Sequence, residues 1–361
     1  MKKVLFIGAH RFDRSPSQRY RFEQYFTYLE ENGYMCDLAY IIDANDDKIF
    51  YGKGRLLMKM LIFVRAFFRR LGHVFKSRSY DLVFIQREAF MLGTTFFERM
   101  FKWFGPPVIF DFDDAIWLPN VSEGNKSLNF LKKPEKTSKL IELSDMVFAG
   151  NDYLVNYAKK YNKNVVLIPT TIDTSWYKPV DSYDEKDKVV IGWTGSSTTI
   201  QHLETVVPVL ERLKDKYGDK LSFKVIGDAS YKNEHLGVQG IPWRSESEVE
   251  DLQDIDIGIM PLPNNKWTEG KCGCKGLQYM AVGIATIMSP VGVNKDIVEH
   301  GVNGFLAETD QEWESVLEKL IEDSNLRESV GKKGRETVDK KYSVNATKEK
   351  YKINFDEITY K

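Results

Sequence analysis

Cysteine is scarce in this sequence: Cys36, Cys272 and Cys274 are the only three among 361 residues. Cys272 and Cys274 have one residue between them, too close for an unstrained disulfide and not the usual zinc spacing. An odd, low count fits a reducing compartment. Net charge is almost absent too. A formal charge of −1 gives the molecule as a whole no electrostatic reason to hold nucleic acid. No uncharged apolar run reaches the roughly 18 residues that a membrane span requires. The opening MKKVLFIGAH has the lysines of a secretory signal, but its apolar run is only about six residues long and charges follow, so it reads as a first buried strand. Histidines 10, 73, 202, 235 and 300 form no metal spacing and read as structural or solvated. Neither GxGxxG nor a Walker loop is present, which argues against a dinucleotide-dependent dehydrogenase. Together these absences predict a cytoplasmic protein, with attachment to a membrane surface still open.

What is there is the balance of a globular protein, 42% hydrophobic and 29% charged. The length suits two domains of roughly 150–200 residues each. Short apolar runs without polar alternation, as in parallel strands buried on both faces, fall at 4–9, 81–86, 108–112, 146–151 and 165–169. They resume at 189–195, 221–227, 256–262 and 285–289. Amphipathic stretches lie between them: Phe22, Tyr25, Phe26 and Leu29 share a helix face, and Gly33 sits where a C-terminal cap belongs. Strand alternating with helix predicts an α/β protein with parallel sheets. The best boundary is 170–188, which passes Pro179 and a charged stretch before a new βαβ series begins. Two Rossmann-like units in tandem, with a cleft between them, are therefore expected, and the cleft is the natural place for a ligand.

Segment 55–76 reads RLLMKMLIFVRAFFRRLGHVFK. On a helix, Arg55, Lys59, Arg65, Arg69, Arg70, His73 and Lys76 fall within an arc of roughly 140°, and apolar residues fill the rest. Such a helix suits an anionic membrane surface or a lipid-linked acceptor. The alternative is a helix packed on the first sheet with its basic face in water.

Chemistry concentrates in the second half. After the strand at 189–195, Gly195 is followed by Ser196 and Ser197, then two threonines and an amphipathic run. Backbone N–H groups at such a strand-to-helix turn suit a phosphate, although a serine helix cap would look the same. The densest constellation is 267–281, WTEGKCGCKGLQYMA. Gly270, Gly273 and Gly276 permit close backbone approach to a ligand. Lys271 and Lys275 bring positive charge suited to a diphosphate leaving group. Gln278 begins the next helix and can hold a hydroxyl or a ribose. Gly292, Val293 and Asn294 open a further helix after another strand. Trp243 and Arg244 follow a short apolar stretch and are placed to meet a donor base, or else pack together on the surface.

In the order VVLIPTTIDTSWYKP, IGWTGSSTTIQHL, DIGIMPL and KCGCKGLQYMAVGIATIMSPVGVNKDIVEHGVNGFLA, the chain resembles bacterial family-4-type glycosyltransferases of the GT-B fold. The resemblance implies an acceptor-side domain at 1–170, a nucleotide-sugar-binding domain at 171–341, and a final helix at 342–361 that returns to the first domain. It also implies a nucleotide diphosphate-sugar donor, transfer with retention, and no metal or other cofactor. Two departures stand out. The family's motif has two glutamates with seven residues between them; here Gly270 and Gln278 occupy those positions, and Glu269 lies one step out of register. The Arg and Lys pair expected for the diphosphate after the strand ending near Gly195 is also missing, which leaves Lys271 and Lys275 to do that work.

In the first domain, Arg19 and Arg21 lie in SPSQRYR, the passage from the first strand loop into a helix, where either could reach a phosphate or an acceptor or simply coat the helix. Asp111, Asp113, Asp114 and Trp117 lie in DFDDAIW at another strand end. Asp113 and Asp114 suit acceptor hydroxyl binding or proton acceptance, with a helix-cap role as the bland alternative. Asp111-Phe112-Asp113 is formally a D-x-D, a weak metal signal. Two rivals to a transferase follow: a noncatalytic nucleotide-sugar-binding scaffold, since both motif glutamates are absent, and a GT-B-like epimerase or sugar phosphorylase.

Overall fold

The computed structural model describes residues 1–52, 54–118, 133, 135–180, 183 and 187–360. The chain forms two compact units, Met1–Pro169 with Thr347–Lys361, and Thr170–Ala346. The charged stretch 181–188 lies mostly outside the described residues, apart from Tyr183, Asp187 and Lys188.

The first unit is built on one parallel sheet. Strand β1 (Lys2–Ile7) lies between β2 (Tyr34–Ala39) and β3 (Leu82–Gln86), and β4 (Val108–Phe112), β5 (Met146–Ala149) and β6 (Val165–Leu167) extend it. The order is β2-β1-β3-β4-β5-β6. Every residue of β3, β4 and β5 is buried, which explains their unbroken apolar character: helices cover both faces. Burying each large apolar side chain contributes about 1.5–3 kcal/mol. Because β2 and β3 lie on opposite sides of β1, the connections diverge beyond the C-terminal ends of β1 and β3, where open α/β sheets hold ligands. The helix Val344–Thr359 supplies Tyr351 and Phe355, both fully buried. Tyr351 stacks on Tyr25 with ring centroids 4.1 Å apart, and Tyr351 and Phe355 both meet Phe84 and Phe148.

The second unit carries a five-stranded parallel sheet and a small antiparallel hairpin. Its strands are β7 (Val189–Thr194), β8 (Leu221–Ile226), β9 (Lys232–Asn233), β10 (Val238–Gln239), β11 (Ile257–Met260), β12 (Ala285–Met288) and β13 (Phe305–Leu306). The sheet order β13-β12-β11-β7-β8 puts the corresponding divergence between β7 and β11. Ile191, Trp193, Ile257, Ile259, Ile287 and Leu317 belong to its buried core.

Each of the nine expected runs overlaps a strand; eight contain theirs, trimmed by up to two residues at an end, while β1 starts two residues before its run. The expected helix around Phe22–Leu29 is broken instead. A helix spans Pro16–Arg21, Phe22 leaves helical geometry (φ −145°, ψ −35°), a 3-10 turn covers Glu23–Tyr25, and Phe26–Glu31 resumes as α-helix.

The segment 55–76 is a helix over Leu56–Lys76, and the expectation that its basic face lies in water is corrected. Much of that face packs on the protein, although the Arg65 and Lys76 side chains stay 56% and 58% exposed. Arg70 is fully buried and donates to the carbonyls of Ala39 (2.8 Å) and Gly8 (2.7 Å) at the ends of β2 and β1. Arg69 donates to the Ile41 carbonyl (2.6 Å) and pairs with Asp43 (3.1 Å), Arg65 pairs with Asp46 (2.9 Å), and Lys76 lies 3.7 Å from Asp37. Carbonyls and carboxylates gathered past the strand ends attract this face more strongly than solvent does. The outward face is apolar.

Candidate functional site

In the second unit, the loops after β7 and β11 converge. The helix Cys274–Ala281 starts four residues before Gln278, so Lys275 lies in its first turn and Gln278 in its second. Gly273 caps it with a left-handed backbone (φ 67°), and a side chain there would collide with Ile297. At the end of β7, Gly195 is equally constrained by space: an added Cβ would lie 2.1 Å from Trp193 and 2.7 Å from the Lys275 ammonium. Trp193, Gly195 and Lys275 thus form one packed corner, with Lys275 Nζ 4.4 Å from the Trp193 ring centroid and 3.3 Å from Thr199 Oγ1. Lys271 makes a parallel arrangement, its ammonium 3.6 Å from the Trp267 ring centroid.

No carboxylate pairs with Lys275 among the described residues. Burial, and then the charge of Lys271, push its ammonium down to about 7. A cation held beside another cation, against aromatic faces, is stabilised when an anion arrives. His202 lies in the same field, stacked on Trp267 (5.9 Å). Burial, Lys275 and Lys271 push it down to about 4, so it is neutral near pH 7, and its buried Nε2 lacks a hydrogen-bond partner among the described residues.

The hydroxyl turn is less open than its sequence implies. The N–H of Ser196 donates to Thr199 Oγ1 (3.0 Å), and only a five-residue helix, Ile200–Glu204, follows. Its dipole is correspondingly small. The side chains of Ser196 and Ser197 are exposed. Gln278 is buried and its amide donates to Glu248 (2.7 Å), with Tyr177 Oη at 3.4 Å. Its amide N–H therefore serves a contact within the unit rather than an open ribose site. Gly292 and Val293 form the turn before the short helix Asn294–Ile297, with the Glu269 carbonyl packed against Gly292. Asn294 is fully buried; its amide donates to the Ser289 carbonyl (3.0 Å), while its Oδ1 has no partner among the described residues. Ile241 bridges Ile226 at the end of β8, so half-buried Trp243 and exposed Arg244 leave the sheet from the same edge. Glu248, Thr199 and Trp267 complete this region and were not singled out as site residues from sequence. Glu248 and Thr199 meet Gln278 and Lys275 from tens of residues away in the chain, so no local pattern marks those contacts, whereas Trp267 lies four residues before Lys271.

In the first unit, the divergence between β1 and β3 gathers charge that is already paired. Arg21 is fully buried, with Nε 3.1 Å from both carboxylate oxygens of Asp111 and Nη1 2.6 Å from the Ile168 carbonyl. This corrects the expected ligand role for Arg21: its guanidinium is enclosed and engaged. Burial pushes Asp111 up to about 6 against the pull of Arg21. Arg19 is nearly buried, 3.4 Å from Asp13 and 3.0 Å from Tyr20 Oη. Asp113 accepts from Ser17 (3.0 Å) and from Arg87 Nε (2.7 Å). Burial works to raise its carboxyl, but Arg87, Arg21 and the Ser17 hydroxyl overcome that and hold it below the usual range. An ionised, well-solvated-by-protein carboxylate is a weak proton acceptor and a good hydroxyl ligand. Asp114 lies 4.0 Å from Arg87 and accepts from the Ala115 N–H. Arg87 was missed, though a charged residue directly after a buried strand is a readable signal. Its φ of 61° is rare for a residue with a side chain and marks a position fixed by its surroundings. Trp117 stacks flat on Tyr157 at 3.7 Å.

Against known proteins, residues 188–323 match the family described as Glycosyl transferases group 1. No curated protein is matched at the level of sequence. Among solved structures, the sucrose-phosphate synthase of Thermosynechococcus elongatus is similar over 100% of both chains, with a TM-score of 0.76 and 14% identity. HepE from Anabaena, in complex with UDP and glucose, is similar over 99% of this chain and 100% of its own (TM-score 0.68, 14% identity). The catalytic domain of starch synthase IV from Arabidopsis thaliana, bound to ADP and acarbose, is similar over 99% of each chain (TM-score 0.68, 12% identity). The protein has the GT-B fold, and its residues 188–323 match the family described as Glycosyl transferases group 1.

Proposed function

We propose that the protein transfers a sugar from a nucleotide diphosphate-sugar to a glycan or lipid-linked acceptor, with retention of configuration and without a metal. The observation that carries this reading is the half-buried Lys275 ammonium, set against Trp193 beside Lys271 with no carboxylate among the described residues to neutralise it. Two cations at the divergence of β7 and β11 match the charge of a diphosphate. Neighbours of the same fold are seen with UDP and glucose and with ADP and acarbose, which supports a nucleotide-linked donor.

In this scheme Lys275 and Lys271 neutralise the leaving nucleoside diphosphate, and the backbone at Gly195, Gly273, Gly292 and Val293 allows it to approach. Asn294 Oδ1 accepts from a donor hydroxyl, and Trp243 with Arg244 meets the base. The bond from the anomeric carbon to the phosphate oxygen breaks, and the acceptor oxygen bonds to that carbon on the same face. The acceptor proton passes to a phosphate oxygen of the departing diphosphate, so no side-chain nucleophile is needed. Asp113 and Asp114, set by Arg87, orient the acceptor hydroxyl; Arg19 lies at the edge of that group. The setting is cytoplasmic, at the inner face of the membrane, in polysaccharide assembly.

Thermal-shift screening of UDP-, ADP- and GDP-sugars tests the donor class, because a ligand that binds only the folded state raises the melting temperature. No shift with any nucleotide sugar overturns the reading. A noncatalytic binder of the same fold is the second reading, favoured by the engagement of Gln278 with Glu248. Tight donor binding with neither transfer nor donor hydrolysis across several acceptors would select it.

A further inference from the structure

The long helix Leu56–Lys76 is mounted with its polarity reversed from that of an ordinary surface helix. Its basic residues hold it to Asp43, Asp46 and the carbonyls past β1 and β2, while Ile62, Ala66 and Val74 enter the core. The side that remains outside is apolar. Leu57 is 77% exposed, Leu61 64%, Val64 51%, Phe68 64% and Phe75 52%. These residues recur at intervals of four, three, four and seven, so they form one stripe along a helix of 21 residues, about 30 Å long. Leu56, Met58 and Met60 widen the stripe in the first turn, and Trp103 on the neighbouring helix Phe96–Phe104 is 82% exposed. Scattered apolar residues are normal on a surface; a continuous stripe of this size is not.

We propose that this stripe docks on an anionic lipid surface, with the helix lying in the plane of the interface. Charge decides the choice of partner. The helix Leu56–Lys76 contains no acidic residue, and the single acidic residue of Phe96–Phe104, Glu98, is buried against Lys136 at 3.2 Å. The exposed charges on the two helices themselves are positive, Arg99 among them, and Arg55 at one end and Arg78 over the rings of Phe75 and Phe104 add to them. An apolar stripe rimmed by cations and a tryptophan complements the acyl boundary and the anionic headgroups together. A second copy would bring the same cations face to face, which costs free energy. None of the described helices is long and apolar enough to cross a membrane, so the contact is one of lying on the surface.

Flotation of the full chain with phosphatidylcholine vesicles, with and without phosphatidylglycerol, tests this without involving the donor, so its result is separable from that of the transfer reading. Wild type is expected to float with the anionic vesicles, and Leu57→Gln/Leu61→Gln/Phe68→Gln to lose bound protein by more than roughly tenfold with an unchanged melting temperature. Arg78→Glu/Arg99→Glu is expected to weaken binding to anionic vesicles only. Equal flotation of wild type and the triple variant overturns the proposal, as does failure of wild type to float at all. A wild-type dimer that the triple variant dissociates, with no vesicle binding, assigns the stripe to a second copy and overturns the lipid reading.

Discussion

The two units place charge at equivalent points of their sheets and treat it in opposite ways. Past β1 and β3, Arg21 faces Asp111, Arg87 faces Asp113 and Asp114, and Arg19 faces Asp13. Past β7 and β11, Lys275 faces an indole, a threonine hydroxyl and a second lysine. Paired charges fix geometry, because losing either partner strands the other in a poor solvent. A cation held without a counter-charge weakens the free protein, and that cost is offset when an anionic ligand binds. The first cluster has the character of a scaffold for orienting hydroxyls; the second has that of a receptor for a leaving group.

The contrast can be broken most forcefully at Arg21. Arg21→Met leaves Asp111 buried and uncompensated, and we expect a loss of about 3–5 kcal/mol in urea unfolding, much of it recovered by adding Asp111→Leu. An unchanged unfolding midpoint for the single variant would remove the scaffold reading. Lys275→Ala should behave in the reverse sense, lowering turnover by more than roughly tenfold while the donor-free protein melts no lower than wild type. Full turnover in that folded variant would sink its role at the leaving group.

Gln278→Glu sharpens the comparison by giving the second unit a buried like-charge pair with Glu248. One carboxyl of the pair is then raised above its unfolded value, so its proton is lost from the folded state as pH rises through the raised pKa. Stability is expected to fall by roughly 1–2 kcal/mol between mildly acid and mildly alkaline pH; a flat profile in thermal melts would mean that the carboxylates move apart. The smallest effect expected is on donor affinity with pH. Lys275 has a folded pKa of about 7, below the ordinary lysine value. Its positive charge is therefore present below pH 7 and lost above it, and binding by the free protein should weaken as pH rises past that point. Lys275→Arg stays protonated throughout, so calorimetric titration should show a flatter dependence in that variant if it binds the donor.

The strand cores were legible because parallel strands buried on both faces leave unbroken apolar runs, and the loop at 267–281 was legible because its glycines and lysines cluster locally. Edge strand β2 escaped notice: YMCDLA carries Asp37 and Cys36, and only its end residues are buried. Periodicity revealed that 56–76 is an amphipathic helix but not which face would dock. That depended on Asp43, Asp46 and the carbonyls of Gly8 and Ala39, which only the folded chain brings beneath it. The same holds for Gln278. Its resemblance to a motif position suggested a ribose contact, whereas Glu248, thirty residues earlier, takes its amide.

The helix Val344–Thr359 has a consequence for how the protein is made. Phe6, Phe84 and Phe148 pack against Phe355, and the Tyr351 hydroxyl donates to the Arg21 carbonyl. Translation delivers those three phenylalanines before all of residues 170–346, and the helix that covers them after. During synthesis the first sheet therefore emerges with an aromatic flank uncovered, while the second unit has everything it needs to fold as soon as it leaves the ribosome. The half of the molecule that is started first is finished second.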